Sequence, residues 1–181
     1  MIKTLGAALA GLLVAAPVPA HAPFTLSSPT FANNALLGMV NEGNIRGCHG
    51  ANVAPTLAWR NAPAGTRSYA LYMYDRDAKL AHWFVYNIPA TVHKVTDASA
   101  PMYTLGKTSF GNAKYDGPCP PRHAKAHHYY FTLIALREAH VKAPRGTAYT
   151  LPAFIKATPG QWITYISIVG TFQRPVRQRA R

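Results

Sequence analysis

Five side chains that can hold or move a proton lie beside three apolar, strand-like runs. They are Asp75 and Asp77 after the first run, His82 in the second, and His127 and Tyr129 at the start of the third. Side chains two positions apart on a strand point to the same face. If the three runs are neighbours in one sheet, these groups meet at one rim. There they supply donors and acceptors for a small anion, with a carboxylate orienting an imidazole.

Each of these residues also has a purely structural interpretation. Asp75 or Asp77 can cap the turn that follows its strand. His82 can be a core histidine with satisfied hydrogen bonds, and Tyr129 can be a core residue whose hydroxyl donates to a backbone carbonyl. The residue types alone leave both interpretations open.

A stiff loop precedes the third run. The sequence Gly-Pro-Cys-Pro-Pro at 117–121 cannot form regular structure, because proline lacks an N–H group and fixes its own φ. Pro120 and Pro121 are therefore candidates for a rigid wall, and the backbone N–H groups around Gly117 are candidates for an anion nest. An ordinary basic surface loop is the alternative, since several histidines and basic residues follow the prolines.

Composition indicates a globular and strongly basic protein. Hydrophobic residues make up 49% of the 181 residues, and 19 Lys and Arg against 6 Asp and Glu give a formal net charge of +13. This charge favours acidic partners such as phosphates, anionic lipids or an acidic protein. A role in solubility alone is the other explanation, and residues 175–181 are expected to form a basic, flexible tail.

The first 22 residues read as a cleaved secretory signal. A basic start is followed by an apolar stretch too short to span a membrane, and then by Ala20-His21-Ala22 at the expected cleavage site. We expect a mature chain from Pro23, located in a bacterial periplasm, with an uncleaved anchor as the alternative. Export places Cys48 and Cys119 in an oxidising space, where they can form one disulfide or remain two thiols.

The apolar pattern predicts a mostly β protein. Strands are expected at 24–31, 36–40, 56–59, 68–74, 81–88, 129–136 and 162–172, with a short one near 103–105. A helix is expected at 150–158, where Thr150 can act as the cap and Pro152 fits the first turn. The fold class is a single β-sandwich domain over 23–174, with one or two short helices.

Several catalytic and binding signatures are absent from the sequence. There is no GxSxG, Walker loop, GxGxxG, HExxH or Cys-x-x-Cys motif. We therefore expect no catalytic nucleophile, no metal and no cofactor. Binding to nucleic acid would rest on charge alone, because the aromatic residues follow strand-core patterns, and no later segment is apolar enough to cross a membrane.

Six ordered motifs resemble the phosphatidylethanolamine-binding protein family, in its bacterial Raf kinase inhibitor-like branch. The resemblance covers roughly residues 27–174 and rests on these segments: Gly47-Cys48 with 50–59, then 62–68, 74–78, 82–89, 116–121, and 127–133. It implies a two-sheet antiparallel β-sandwich with a small pocket at one rim that accepts phosphate-like or carboxylate-like groups. The matching pocket positions are Asp75, Asp77, His82, Pro120, Pro121, His127 and Tyr129.

The chain departs from the family pattern at three places. Arg76 replaces the middle proline of Asp-Pro-Asp, the loop between Asp77 and His82 is short, and His128 stands where the family has arginine. These changes are expected to alter the charge, the rim and the pH dependence of the pocket.

The sequence thus predicts an exported binding protein with a pocket for a small phosphate- or carboxylate-bearing ligand, which modulates a partner protein. Two alternatives stay open. One is a weak hydrolase that uses the Asp/His rim as a general base on water. The other is an interaction protein that binds an acidic partner through its basic surface, independently of the pocket.

Overall fold

Nine strands and one helix form the part of the chain that the computed structural model describes, residues 22–45, 47–143 and 148–175. The strands are β1 (Thr25–Ser27), β2 (Ala35–Leu36), β3 (Leu57–Arg60), β4 (Ser68–Asp75), β5 (Leu80–Pro89), β6 (Lys94–Val95), β7 (Thr104–Leu105), β8 (His127–Leu136) and β9 (Trp162–Phe172). The helix α1 is Leu151–Ala157. Short 3₁₀ turns occur at Met39–Asn41 and Ala100–Met102. The predicted signal segment up to residue 21 and the basic tail from residue 176 lie outside these ranges.

The strands form two sheets that face each other. The larger sheet has the order β2-β9-β8-β4-β5-β7 and the smaller has the order β1-β3-β6. A continuous core joins them, with Leu57 and Trp59 from the small sheet packing with side chains such as Tyr69, Met73 and Phe131 from the large one. The predicted β-sandwich is confirmed. The pairings between these nine strands are antiparallel apart from the short parallel contact between β2 and β9.

The large sheet is covered on its second face as well. Alternate residues of β4 and β8, including Ala70 and Ile134, pack there with Phe84 and with Leu151 and Phe154 of α1. Burial on both faces explains why these strands read as continuous apolar runs instead of alternating ones. The helix begins where predicted, since Thr150 Oγ1 accepts a hydrogen bond from the Ala153 N–H at 3.4 Å.

Strand order brings the candidate residues to one end of the large sheet. The last residue of β4, Asp75, pairs with Leu80 at the start of β5 and with Tyr129 near the start of β8. Antiparallel neighbours necessarily place the end of one strand beside the start of the next. The strand β8 begins at His127, two residues earlier than predicted, so His127 and Tyr129 both belong to it.

A disulfide joins two loops that are far apart in the sequence. Cys48 and Cys119 are bonded with a Cα–Cα distance of 5.9 Å, which confirms the predicted pairing. No helix among the described residues is both long and apolar enough to cross a membrane.

Candidate functional site

A cavity of about 220 Å³ opens where the ends of β4, β5 and β8 meet the loop before β8. Most of its wall is apolar, and its polar groups cluster at the strand ends. Its lining residues are Ile45, Asn52, Asp75, Ala78, Leu80, His82, Phe110, Asp116, Gly117, Cys119, Pro120, Pro121, His127 and Tyr129. Seven of the eight predicted binding residues therefore line one cavity. Their role in binding remains a prediction.

Asp75 is a buried carboxylate that makes two kinds of hydrogen bond. It is only 2% exposed. One oxygen, Oδ1, accepts hydrogen bonds from the N–H groups of Asp77 and Ala78, each at 2.9 Å. The other, Oδ2, lies 2.8 Å from Nδ1 of His127. Because a carboxylate only accepts, Nδ1 of His127 carries the proton. Asp75 thus caps the turn, and it also orients the imidazole.

His82 is held in one orientation by the neighbouring loop. Its Nδ1 lies 2.6 Å from the carbonyl oxygen of Asp116, and the N–H of Asp116 donates back to the carbonyl of His82 at 2.9 Å. The ring packs edge-on against Phe110 and Tyr129. Burial lowers the pKa of His82 and outweighs the opposing effects of the Asp116 carbonyl and the Asp75 carboxylate. The neutral imidazole is therefore favoured.

Two polar atoms at this end of the sheet make no hydrogen bond of ordinary geometry. They are Nε2 of His82 and the hydroxyl of Tyr129, both on residues that line the cavity. His82 is 4% exposed and Tyr129 is fully buried. Burial raises the pKa of Tyr129, and both the charge of Asp75 and a loose hydrogen bond to it add to this effect, so the hydroxyl keeps its proton. Buried polar atoms are rarely left without a well-formed hydrogen bond in proteins.

The loop wall depends on a backbone contact that only glycine permits. A Cβ at Gly117 would lie 2.1 Å from the carbonyl oxygen of Asn41. The N–H of Gly117 donates to Oδ1 of Asn52 at 2.7 Å, and Nδ2 of Asn52 donates to the carbonyl of Tyr115 at 3.0 Å. The Gly117 N–H is thus already paired within the protein. This corrects the expectation that it contributes to an anion nest, because Gly117 here shapes the wall.

Asp77 lies outside the cavity lining, unlike the other predicted residues. Its Oδ2 accepts hydrogen bonds from the N–H of His128 at 2.7 Å and lies 3.1 Å from Nδ1 of the same residue. The His128 N–H is the main reason why the pKa of Asp77 is lowered. Arg76 and His128, which were expected to alter the charge and pH dependence of the pocket, also contact other residues. His128 pairs with Asp77, and Arg76 donates to the Tyr130 hydroxyl at 3.1 Å and stacks over that ring.

A metal ion would have to compete with these hydrogen bonds. Asp75, Asp77 and His127 bring potential ligand atoms within 4.8 Å of one another. Both Asp75 oxygens already accept hydrogen bonds, however, and Nδ1 of His127 donates one of them. The trio is better explained as a network that orients His127.

Among the lining residues with no role assigned from the sequence are three that contact predicted site residues directly. They are Asn52, which braces Gly117, Asp116, which orients His82, and Phe110, which covers the His82 ring. Asn52 has a positive φ of 56°, a conformation for which asparagine is enriched, and it lies in the segment 50–59 that resembles the family. The residue type and this resemblance were the indications that the sequence offered for it. The contacts of Asp116 and Phe110 join segments about 30 residues apart and leave no local pattern.

Comparisons with known proteins agree on one family. Residues 27–173 match the family model described as "Phosphatidylethanolamine-binding protein". The UPF0098 protein YbcL of Escherichia coli K12 is 36% identical over 121 residues, which cover 60% of this chain and 66% of YbcL. A Mycobacterium tuberculosis protein named "Putative lipoprotein LppC" is 36% identical over 162 residues, covering 87% and 76% of the two chains. The crystal structure of YbcL superposes with a TM-score of 0.77 at 30% identity, covering 85% of this chain and all of that one.

Proposed function

Because the chain belongs to the phosphatidylethanolamine-binding protein family, we propose that its cavity binds one small phosphate- or carboxylate-type group. The observation that carries this proposal is the pair of buried atoms on His82 and Tyr129 that make no hydrogen bond of ordinary geometry. A bound oxyanion would accept from the Tyr129 hydroxyl and lie beside the Asp75–His127 pair. The apolar wall around it, from Leu80 to Pro121, would cover the uncharged remainder of a ligand.

Calorimetric titration with phenyl phosphate and benzoate tests this function. We expect saturable binding of at least one of the two ligands by the wild-type protein, and a loss of at least about tenfold for that ligand in Tyr129→Phe, because the only atom removed is the donor. Tyr165→Phe is the matched control, since Tyr165 lies on β9 and is 63% exposed. Equal affinities in wild type and Tyr129→Phe would contradict the assigned site.

We also propose that the protein is exported to the bacterial cell envelope. The apolar N-terminal segment and the Cys48–Cys119 disulfide both support an oxidising location, and the name of the related LppC describes a lipoprotein. The molecular mass of the protein recovered from a periplasmic fraction, which identifies its first residue, tests this proposal. A chain starting at Pro23 is expected, and a full-length cytoplasmic chain would refute it.

Hydrolysis remains the second candidate because Asp75 and His127 form a carboxylate–imidazole pair 2.8 Å apart. Among the described lining residues there is no serine or threonine to act as a nucleophile, so water would have to attack under base catalysis. Release of phenol from phenyl phosphate distinguishes the two functions, and turnover that disappears in His127→Ala would establish the enzyme.

If neither ligand binds, the basic surface becomes the candidate site. The formal net charge of +13 would then serve to modulate an acidic partner protein. Such binding would be strongly weakened by salt and indifferent to Tyr129→Phe.

A further inference from the structure

We propose that the cavity selects an oxyacid group that still carries one proton, above all a phosphate monoester in its monoanionic form. This inference rests on the proposed binding function and specifies which form of the ligand the site accepts. It follows from the hydrogen bonds that the cavity atoms already make within the protein, because these determine which atoms can still donate or accept.

The tautomer of His82 is determined by its partner. A backbone carbonyl can only accept, so Nδ1 of His82, 2.6 Å from the Asp116 oxygen, must be the protonated nitrogen. In the neutral ring, Nε2 then presents a lone pair. The unpartnered atom is therefore an acceptor that requires a donor from the ligand.

A second acceptor lies next to the first. Oδ2 of Asp75 is 3.9 Å from Nε2 of His82, too far for a hydrogen bond between them. Two lone-pair atoms, one of them anionic, face the same small volume. A ligand O–H placed against Nε2 satisfies the imidazole and also adds a favourable dipole beside the carboxylate.

A protonated His82 would be the other way to satisfy this pair. Burial opposes it, since desolvation is the largest influence on this residue and lowers its pKa. The two nearby carboxylates, Asp75 on β4 and Asp116 in the loop, act in the opposite direction but do not prevail. From β8, the groups that face His82 are the Tyr129 hydroxyl, which stays protonated, and the His127 ring.

The charge of the cavity also disfavours a dianion. Its described lining residues include two carboxyl side chains, Asp75 and Asp116, and no lysine or arginine. In the described part of the chain, the side chains that donate to the Asp116 carboxylate are the neutral Thr108 at 2.8 Å and Asn112 at 3.0 Å. A second negative charge on the ligand would add to its repulsion by these two carboxylates.

Phosphate monoesters and sulfate monoesters separate the two requirements of the site. Both are tetrahedral oxyanions that can accept from Tyr129. The phosphate monoanion has an O–H for His82, whereas a sulfate monoester has none. A phosphodiester also lacks this O–H, so an intact diester headgroup would leave Nε2 of His82 unpaired unless another group on it donates.

The test is calorimetric titration of the wild-type protein with phenyl phosphate and phenyl sulfate at pH 5.5 and pH 8. At pH 5.5 we expect phenyl phosphate to bind about 10- to 100-fold more tightly, because the sulfate leaves a buried acceptor unpaired. With a second pKa of about 6, the phosphate is almost entirely dianionic at pH 8, so this ratio should fall by roughly 50- to 100-fold. Protein titrations that change the affinity for both ligands equally cancel in the ratio. Protonation of His82 does not cancel, because it would turn Nε2 into a donor and lower the ratio at pH 5.5, against the expected trend.

The outcomes separate this inference from the proposed function. Equal binding of the two ligands at pH 5.5, or a phosphate preference that grows towards pH 8, would overturn the protonated-ligand inference and leave the oxyanion site intact. Binding of neither ligand would overturn the proposed function itself.

Two variants test which residue causes the preference for phosphate over sulfate. His82→Gln replaces the ring acceptor with an amide that also carries donors, so the preference for phosphate over sulfate should disappear. Tyr129→Phe should weaken both ligands and keep the preference. Thermal unfolding of each variant establishes that it is folded. A preference that persists in folded His82→Gln would refute the role given to Nε2.

Discussion

Removing the Cys48–Cys119 disulfide is expected to destabilise the protein by about 4 kcal/mol. The two cysteines are 71 positions apart in the sequence. In the chain-entropy treatment, opening a loop of that length returns this amount of conformational free energy to the unfolded state. A protein of this size has a total stability of about 5–15 kcal/mol, so the loss is a large share of it.

Urea denaturation followed by tryptophan fluorescence measures this loss, since the chain has three tryptophans. The comparison uses oxidised wild type, reduced wild type, and the double variant Cys48→Ala/Cys119→Ala. Alanine avoids burying a new hydroxyl at Cys48, which is 2% exposed. We also expect a larger m-value without the bond, because the open unfolded chain exposes more surface.

The double variant also shows whether the disulfide acts through the entropy of the unfolded chain or through the structure around it. Reductant should destabilise wild type and leave the double variant unchanged, which is the control for non-specific effects. A loss below about 1 kcal/mol would refute the loop-entropy reasoning. Because Cys119 lies in the cavity wall next to Pro120, phenyl phosphate should bind more weakly to the folded variant, and unchanged affinity would show that the wall holds its shape without the bond.

Three further outcomes are expected. Asp75→Asn should lower the free energy of unfolding, measured by urea denaturation, by about 1–3 kcal/mol, because a buried acceptor of three hydrogen bonds is altered. Asp77→Asn, at a more exposed position, should lower it by less than about 1 kcal/mol. Equal losses would contradict the assigned network. Because the pKa of His82 is lower in the folded than in the unfolded state, its neutral ring favours the fold fully above the unfolded pKa of 6.5, and this stability is lost as the pH falls towards the folded pKa. His82→Phe should therefore flatten the dependence of Tm on pH between 5 and 8. An unchanged slope would count against a buried neutral ring. Gly117→Ala should cost about 1–3 kcal/mol because its Cβ would meet the Asn41 carbonyl at 2.1 Å, whereas Gly38→Ala, whose Cβ would have ordinary contacts at 3.6 Å, should be tolerated.

Local patterns were enough to predict most of the sandwich. The last strand, Trp162–Phe172, has the bounds expected from its apolar run, and α1 begins after its Thr150 cap. The short strands were predicted less well. The expected strand at 24–31 is only Thr25–Ser27, and Ala35–Leu36 pairs in parallel with β9. Two- and three-residue strands carry too few side chains to produce a periodic signal.

The sequence by itself determined that Asp75, His82, His127 and Tyr129 meet at one end of the sheet, because antiparallel order places the ends of β4, β5 and β8 together once these runs are recognised as strands. It also determined the disulfide partners, since only two cysteines are present.

Only the tertiary structure decided what each side chain does there. It assigned Asp75 to His127, turned Asp77 towards His128, and placed the Asp116 carbonyl against His82. These contacts join residues 34 to 52 positions apart. The protonation of His82 and the pairing of the Gly117 N–H depend on which distant group comes within 3 Å, and no residue type or spacing encodes that distance.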